Sequence, residues 1–148
     1  MKQNYFFSKV IIAVCLITFT SISSFAQCNT FVKKKCMPKI SPFTQNGQMN
    51  TSTLTSGQKT TLNLTFYSGQ SYRILVCGES LLGDLTFTIT DLEHKVVFDS
   101  KKNDYPDFWD FKVKSTQQFI VEVQVPQPEE KTPAATGCVS IIVGFKKG

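Results

Sequence analysis

From Lys59 onward the chain repeats one pattern: short runs of alternating apolar and polar residues, cut by turn formers, with no stretch of helical period. KTTLNLTFYS sets Leu62, Leu64 and Phe66 against Thr61, Asn63, Thr65 and Tyr67. Successive side chains of a strand point to opposite faces, so a run of this kind is a half-buried strand. SYRILVC places Tyr72, Ile74 and Val76 on one face, DLTFTITD does so with Leu85, Phe87 and Ile89, and QFIVEVQV with Phe119, Val121, Val123 and Val125. KVVFDS, DFWDFKV and GCVSIIVGF complete the set, and one more edge strand is expected around Gln48 to Leu54. Strands in close succession with no helix between them imply an all-β fold, an antiparallel β-sandwich (jelly-roll-like) of about seven to eight strands. PQPEEKTPAATG, residues 126–137, holds three prolines and a charged run, so it reads as an exposed loop before the last strand.

The beginning of the chain has another character. MKQNYFFSK brings positive charge, VIIAVCLITF is an apolar run, and Ser24 and Ala26 stand at the −3 and −1 positions of a cleavage site. This is the pattern of a signal peptide over residues 1–26. The apolar run is shorter than the twenty or so residues that span a bilayer, so no membrane span is expected. Gln27 stands where lipidation of Cys28 would require a small residue. The expected organisation is a leader (1–26), an N-terminal extension with a cysteine-closed loop (27–58) and a β-sandwich domain (59–148). The expected location is secreted or periplasmic. Without Lys2 and Lys9 of the leader, fourteen basic residues face eleven acidic ones, a charge of +3. So mild a balance, with Lys33, Lys34 and Lys35 as its longest basic run, gives no reason to expect a nucleic-acid partner.

Four cysteines follow the leader: Cys28, Cys36, Cys77 and Cys138. An even number in an exported chain favours disulfides, and neither these spacings nor the single His94 suits a structural zinc site. Cys77 ends one strand and Cys138 begins another, which favours Cys77–Cys138 with Cys28–Cys36. In the chain-entropy model those bridges contribute about 4 and about 2.5 kcal/mol. The crossed connectivities remain open.

The run LLGDLTFTITDLEHKVVFDSKKNDYPDFWDFKVKSTQQFIVEVQVP resembles the small β-sandwich modules of the GOLD and bacterial pre-peptidase C-terminal type. The whole chain resembles a group of small secreted bacterial proteins. Those resemblances imply a sandwich with an accessory role and bring no catalytic motif with them.

Nucleophilic catalysis needs a base beside a Ser, Cys or Thr, and His94 lies in the turn DLEHK, with no nucleophile motif around it. No glycine-rich phosphate loop occurs. The chain is therefore read as non-enzymatic. The stretch DSKKNDYPDFWDF, residues 99–111, is the one that asks to be a site. Trp109, Phe111 and Val113 share one strand parity, which turns the tryptophan inward, while Tyr105 and Phe108 fall near Pro106, where the ladder is broken. Asp99, Asn103, Asp104 and Asp107 offer hard oxygens of the kind calcium takes, without the spacing or glycine of an EF-hand loop. Tyr105, Phe108 and Trp109 beside those groups would suit a sugar ring. The expected function is that of an accessory or structural envelope protein, binding a protein or glycan through Asp99, Asn103, Asp104, Tyr105, Asp107, Phe108 and Trp109. The alternative is a carbohydrate-binding or carbohydrate-active protein using the same loop.

Overall fold

The computed structural model describes residues 23–147. Most of the expected leader, residues 1–22, lies outside them, and a helix, α1 (Ser23–Phe31), runs across the expected cleavage point after Ala26. The strands are β1 (Thr44–Thr55), β2 (Lys59–Phe66), β3 (Gln70–Gly78), β4 (Thr86–Thr90), β5 (Val96–Asp99), β6 (Phe108–Lys112), β7 (Gln117–Gln124) and β8 (Thr136–Lys147). They form two antiparallel four-stranded sheets, with orders β1-β8-β3-β6 and β2-β7-β4-β5. The hairpin β4–β5 is the innermost pair, and outward from it β3 pairs with β6, β2 with β7 and β1 with β8. A long hairpin wound in this way into two facing sheets is a jelly roll.

The alternating runs explain why the sheets face each other. Phe66, Ile74, Phe87, Ile89, Val121, Val123, Ile141 and Val143 are fully buried between them. Each such side chain contributes about 1.5–3 kcal/mol of transfer free energy. The 126–135 segment is the loop that its prolines require, since Pro cannot donate to a ladder.

One face of β3 and β8 departs from the half-buried pattern. Leu75, Cys77 and Ile142 lie on the outer side of their sheet, yet they are buried under Val32, Cys36 and Ile40. The cover is the N-terminal segment: α1, then a π-helical turn over Val32–Cys36 and a 3₁₀ turn over Met37–Ile40. Residues 44–55 of the expected extension are themselves β1, paired with β8 along their length, so the sandwich includes them.

The helical character of the cover decides the disulfides and corrects the expected pairing. Cys28 bonds Cys138, and Cys36 bonds Cys77. Eight residues of helix separate two positions by roughly 12 Å, about twice the Cα–Cα reach of a disulfide, so Cys28 and Cys36 cannot bond each other. Cys77 stands opposite Ser140 on the outer face, with Cys138 two residues further along β8. Each reaches up to the covering segment, not sideways to the other. The two bridges enclose 110 and 41 residues of separation, and in the chain-entropy model each contributes about 4–5 kcal/mol.

Candidate functional site

The stretch from Asp99 to Phe108 carries the chain from the edge of one sheet to the edge of the other, and its polar residues are mostly engaged in holding it. Asp99 caps the 3₁₀ turn Ser100–Lys102, its Oδ1 accepting the Lys101 N–H at 3.0 Å. Asn103 Nδ2 donates to the Asp99 carbonyl at 2.8 Å. Ser100 is fully buried; its Oγ accepts the Phe87 N–H at 2.9 Å, and its carbonyl accepts the N–H groups of Asn103 and Tyr105. Asp107 is paired with Lys39 of the covering segment at 2.6 Å. These carboxylates therefore point to separate partners, and among the described residues no group of three or more His, Cys, Asp or Glu is placed to hold a metal ion.

The aromatic residues of the stretch also divide. Trp109 is half-buried and stacks between Phe98 and Phe111, at ring distances of 5.2 and 4.2 Å, closing the edge where β5 and β6 meet. Phe108 lies over the Arg73 guanidinium, 4.1 Å from its centroid, with Phe43 on another side at 4.8 Å. Tyr105 is the more open to solvent, 57% exposed against 38% for Phe108. Both it and Asp104 have left-handed backbones, φ 54° and 59°. Two consecutive non-glycine residues in that region cost of order 1–3 kcal/mol each, and persist only where the surroundings over-determine them. Here the Ser100 network does so.

Around Tyr105 the surface is concave. A hollow of about 230 Å³ lies between Tyr105, Asp107 and Lys39 on one side and Gly78, Asp84 and Leu85 on the other. A second, of about 580 Å³, lies beyond Tyr105 against Asp84, Lys101, Gln124 and Gln127. A third, of about 430 Å³, shares Lys39, Cys77 and Gly78 with the first and reaches Phe31, Lys35 and Leu81. They adjoin along shared residues, Asp84 and Tyr105 between the first and second and Lys39, Cys77 and Gly78 between the first and third, which gives this end of the sandwich a grooved surface. Gly83, at φ 75°, ends the 3₁₀ turn Ser80–Leu82 and so lets Asp84 return to the groove.

Sequence reasoning missed two contributors. The covering segment supplies one wall, through Phe31, Lys35 and Lys39, because Cys36–Cys77 pins it there. Arg73, only 9% exposed, was hidden in the strand run SYRILVC. It holds the Asp110 carboxylate through Nε and one Nη, both at 2.7 Å, and donates through the other Nη to the Lys39 and Ser41 carbonyls. The hydrogen bond to Asp110 raises its pKa further above its ordinary value, burial opposes this, and Asp110 and Asp107 add to it through space. A lone arginine in an otherwise apolar strand was the available signal.

The chain matches no protein-family model and no curated protein sequence. Among solved structures it is similar to Aeromonas hydrophila PliG, a periplasmic lysozyme inhibitor of g-type lysozyme. The identity is 12%, 67% of this chain and 85% of that one are covered, and the TM-score is 0.49.

Proposed function

We propose that this chain is an extracytoplasmic, non-enzymatic binding protein of the cell envelope, which holds a projecting segment of a protein partner in the groove around Tyr105. The observation that carries this reading is Tyr105 itself: a large ring held in solvent, on a strained backbone, between two hollows. Tyrosine brings much contact area with few rotatable bonds, which is why it is common at binding hot spots. Leu81 and Phe31 add apolar surface, while Lys35, Asp84 and Lys101 offer charges of both signs to a polypeptide. The disulfides suit an oxidising compartment. His94 supports the non-enzymatic reading: it is exposed in the β4–β5 turn at φ 61°, its N–H given to the Asp91 carbonyl.

A second reading has an observation of its own. The Tyr105 ring stands in one hollow with Gln124, Gln127 and Asp84, an aromatic face beside amides and a carboxylate, which is the equipment for stacking a sugar and bonding its hydroxyls. Titration separates the two readings. Purified envelope proteins, g-type lysozyme among them, are tested one at a time beside a panel of cell-wall and plant polysaccharides, each against the wild type and Tyr105→Ala. A protein ligand that loses at least about tenfold in affinity with the variant supports the first reading. A polysaccharide behaving so supports the second. Ligands that bind both forms equally remove the groove from the account.

A further inference from the structure

The flank opposite Trp109 carries a feature that the groove does not use. Between Lys39 and Arg73 the only charged residue is Lys59, and this stretch includes both β1 and β2, the edge strands of the two sheets on that flank. Exposed sheet edges are ordinarily blunted by charge, proline or bulges, because their free N–H and C=O groups accept another strand. The opposite flank follows that practice: β5 is short with an irregular register against β4, and β6 carries Asp110 and Lys112. On β1 the bulge between Gln45 and Met49, with Gly47 at φ 86°, ends before Met49. From Met49 to Thr55 the edge is regular, uncharged and free of proline.

The hydrogen bonds fix which groups face outward. The Asn50 carbonyl accepts the Ser140 hydroxyl of β8, whereas the Thr55 N–H donates to Gln58 Oε1 and the Thr55 carbonyl accepts the Gln58 N–H, away from β8. Backbone groups alternate sides along a strand. Asn50, Ser52 and Leu54 therefore face β8, and Met49, Thr51 and Thr53 present their N–H and C=O groups at the edge. The Glu79 N–H bonding the Cys138 carbonyl agrees, since it assigns the neighbouring positions of β8 to the β3 side. Alongside, α1 leaves room: a hollow of about 370 Å³ lies between Cys28, Asn29 and the Thr51–Thr53 edge.

We propose that two copies of this chain join antiparallel through β1, on a two-fold axis at Thr51, making one continuous eight-stranded sheet. In that register Thr51 faces its own copy and Met49 faces Thr53, so every outward group of the three finds a partner. The occupant is a second copy because an uncharged Thr/Ser/Asn strand is complementary to itself: no like charges meet, and Thr–Thr pairs across strands are favourable. Lys59, the single charge within β1 and β2, is paired with Glu122 at 3.0 Å.

The test is sedimentation velocity over a concentration series, on full-length protein processed by an exporting host. The wild type sediments as a dimer at high concentration. Thr51→Lys and Thr51→Glu each weaken the dimer at least about tenfold, since like charges then sit opposite each other on the axis. Mixed one to one, the two variants restore it. Thr51→Pro removes the outward N–H and the hydroxyl that meets Ser140 Oγ, leaves the β8 ladder whole, and gives a folded monomer. A wild type that stays monomeric throughout overturns the proposal. So does a dimer indifferent to Thr51→Lys and Thr51→Glu, or one their mixture fails to restore.

Discussion

The Arg73 guanidinium is held by the Asp110 carboxylate, two backbone carbonyls and two aromatic rings, and it joins three parts of the chain: β3, β6 and the covering segment. Asp110 is 40% exposed on its side chain, so solvent screens the ion pair itself, and most of the loss on removing Arg73 comes from the stranded Lys39 and Ser41 carbonyls. Arg73→Met is expected to cost about 2–3 kcal/mol in urea unfolding, with Arg73→Lys recovering only part, because an ammonium lacks the planar fork. The pH dependence has a definite sign. A pKa raised in the folded state gives stability that is complete below the unfolded value and lost as pH rises through the folded one. For arginine both lie far into the alkaline range, so the Arg73 contribution stays flat from neutral to mildly alkaline pH, which pH-dependent urea midpoints of wild type and Arg73→Met will check. At the same scale, the parity of Trp109, Phe111 and Val113 was enough to turn the tryptophan ring inward. No pattern of spacing revealed that Asp99, Asn103 and Asp107 would be engaged by the loop and by Lys39, because those partners are set by where the chain crosses between sheets.

Among the elements, the strands were legible because period-two alternation records one-sided burial directly. The covering segment was not. Its helix shows no clear apolar stripe in the sequence, and it is held in place by two long-range disulfides. The trace it left was on its target: RILVC and SIIVGF are apolar at both parities, as strands buried on two faces must be. Cys36→Ala with Cys77→Ala should therefore loosen the segment and not the sandwich. The expected cost is about 2–5 kcal/mol, with trypsin cleavage at Lys33–Lys35 much faster than in the wild type and the jelly-roll core still giving a cooperative transition. Equal cleavage rates would mean that Val32, Ile40 and Leu75 suffice to hold the cover.

For the molecule as a whole, the jelly roll sets two loop-bearing ends and two edge flanks, and the cover extends one end into a groove. The closeness of residues 99–108 to the 126–137 loop is a product of the fold: the β5–β6 crossing and the exit of β7 put Tyr105 beside Pro126 and Gln127. Tyr105→Ala should leave the unfolding free energy in urea within about 0.5 kcal/mol of wild type, since its ring is solvated and the left-handed backbone is the same for either side chain. Its effect belongs to binding. Trp109, the sole tryptophan and four residues from Tyr105, reports on that loop from within the fold. The deciding measurement is therefore Trp109 emission and acrylamide quenching during titration of the envelope-protein and polysaccharide panel, in wild type and Tyr105→Ala. Blue-shifted, poorly quenched emission is expected in both free proteins, with one ligand class perturbing the wild type at an affinity at least about tenfold above the variant's. Red, freely quenched emission in the free protein, or a ligand bound equally by both, would contradict it.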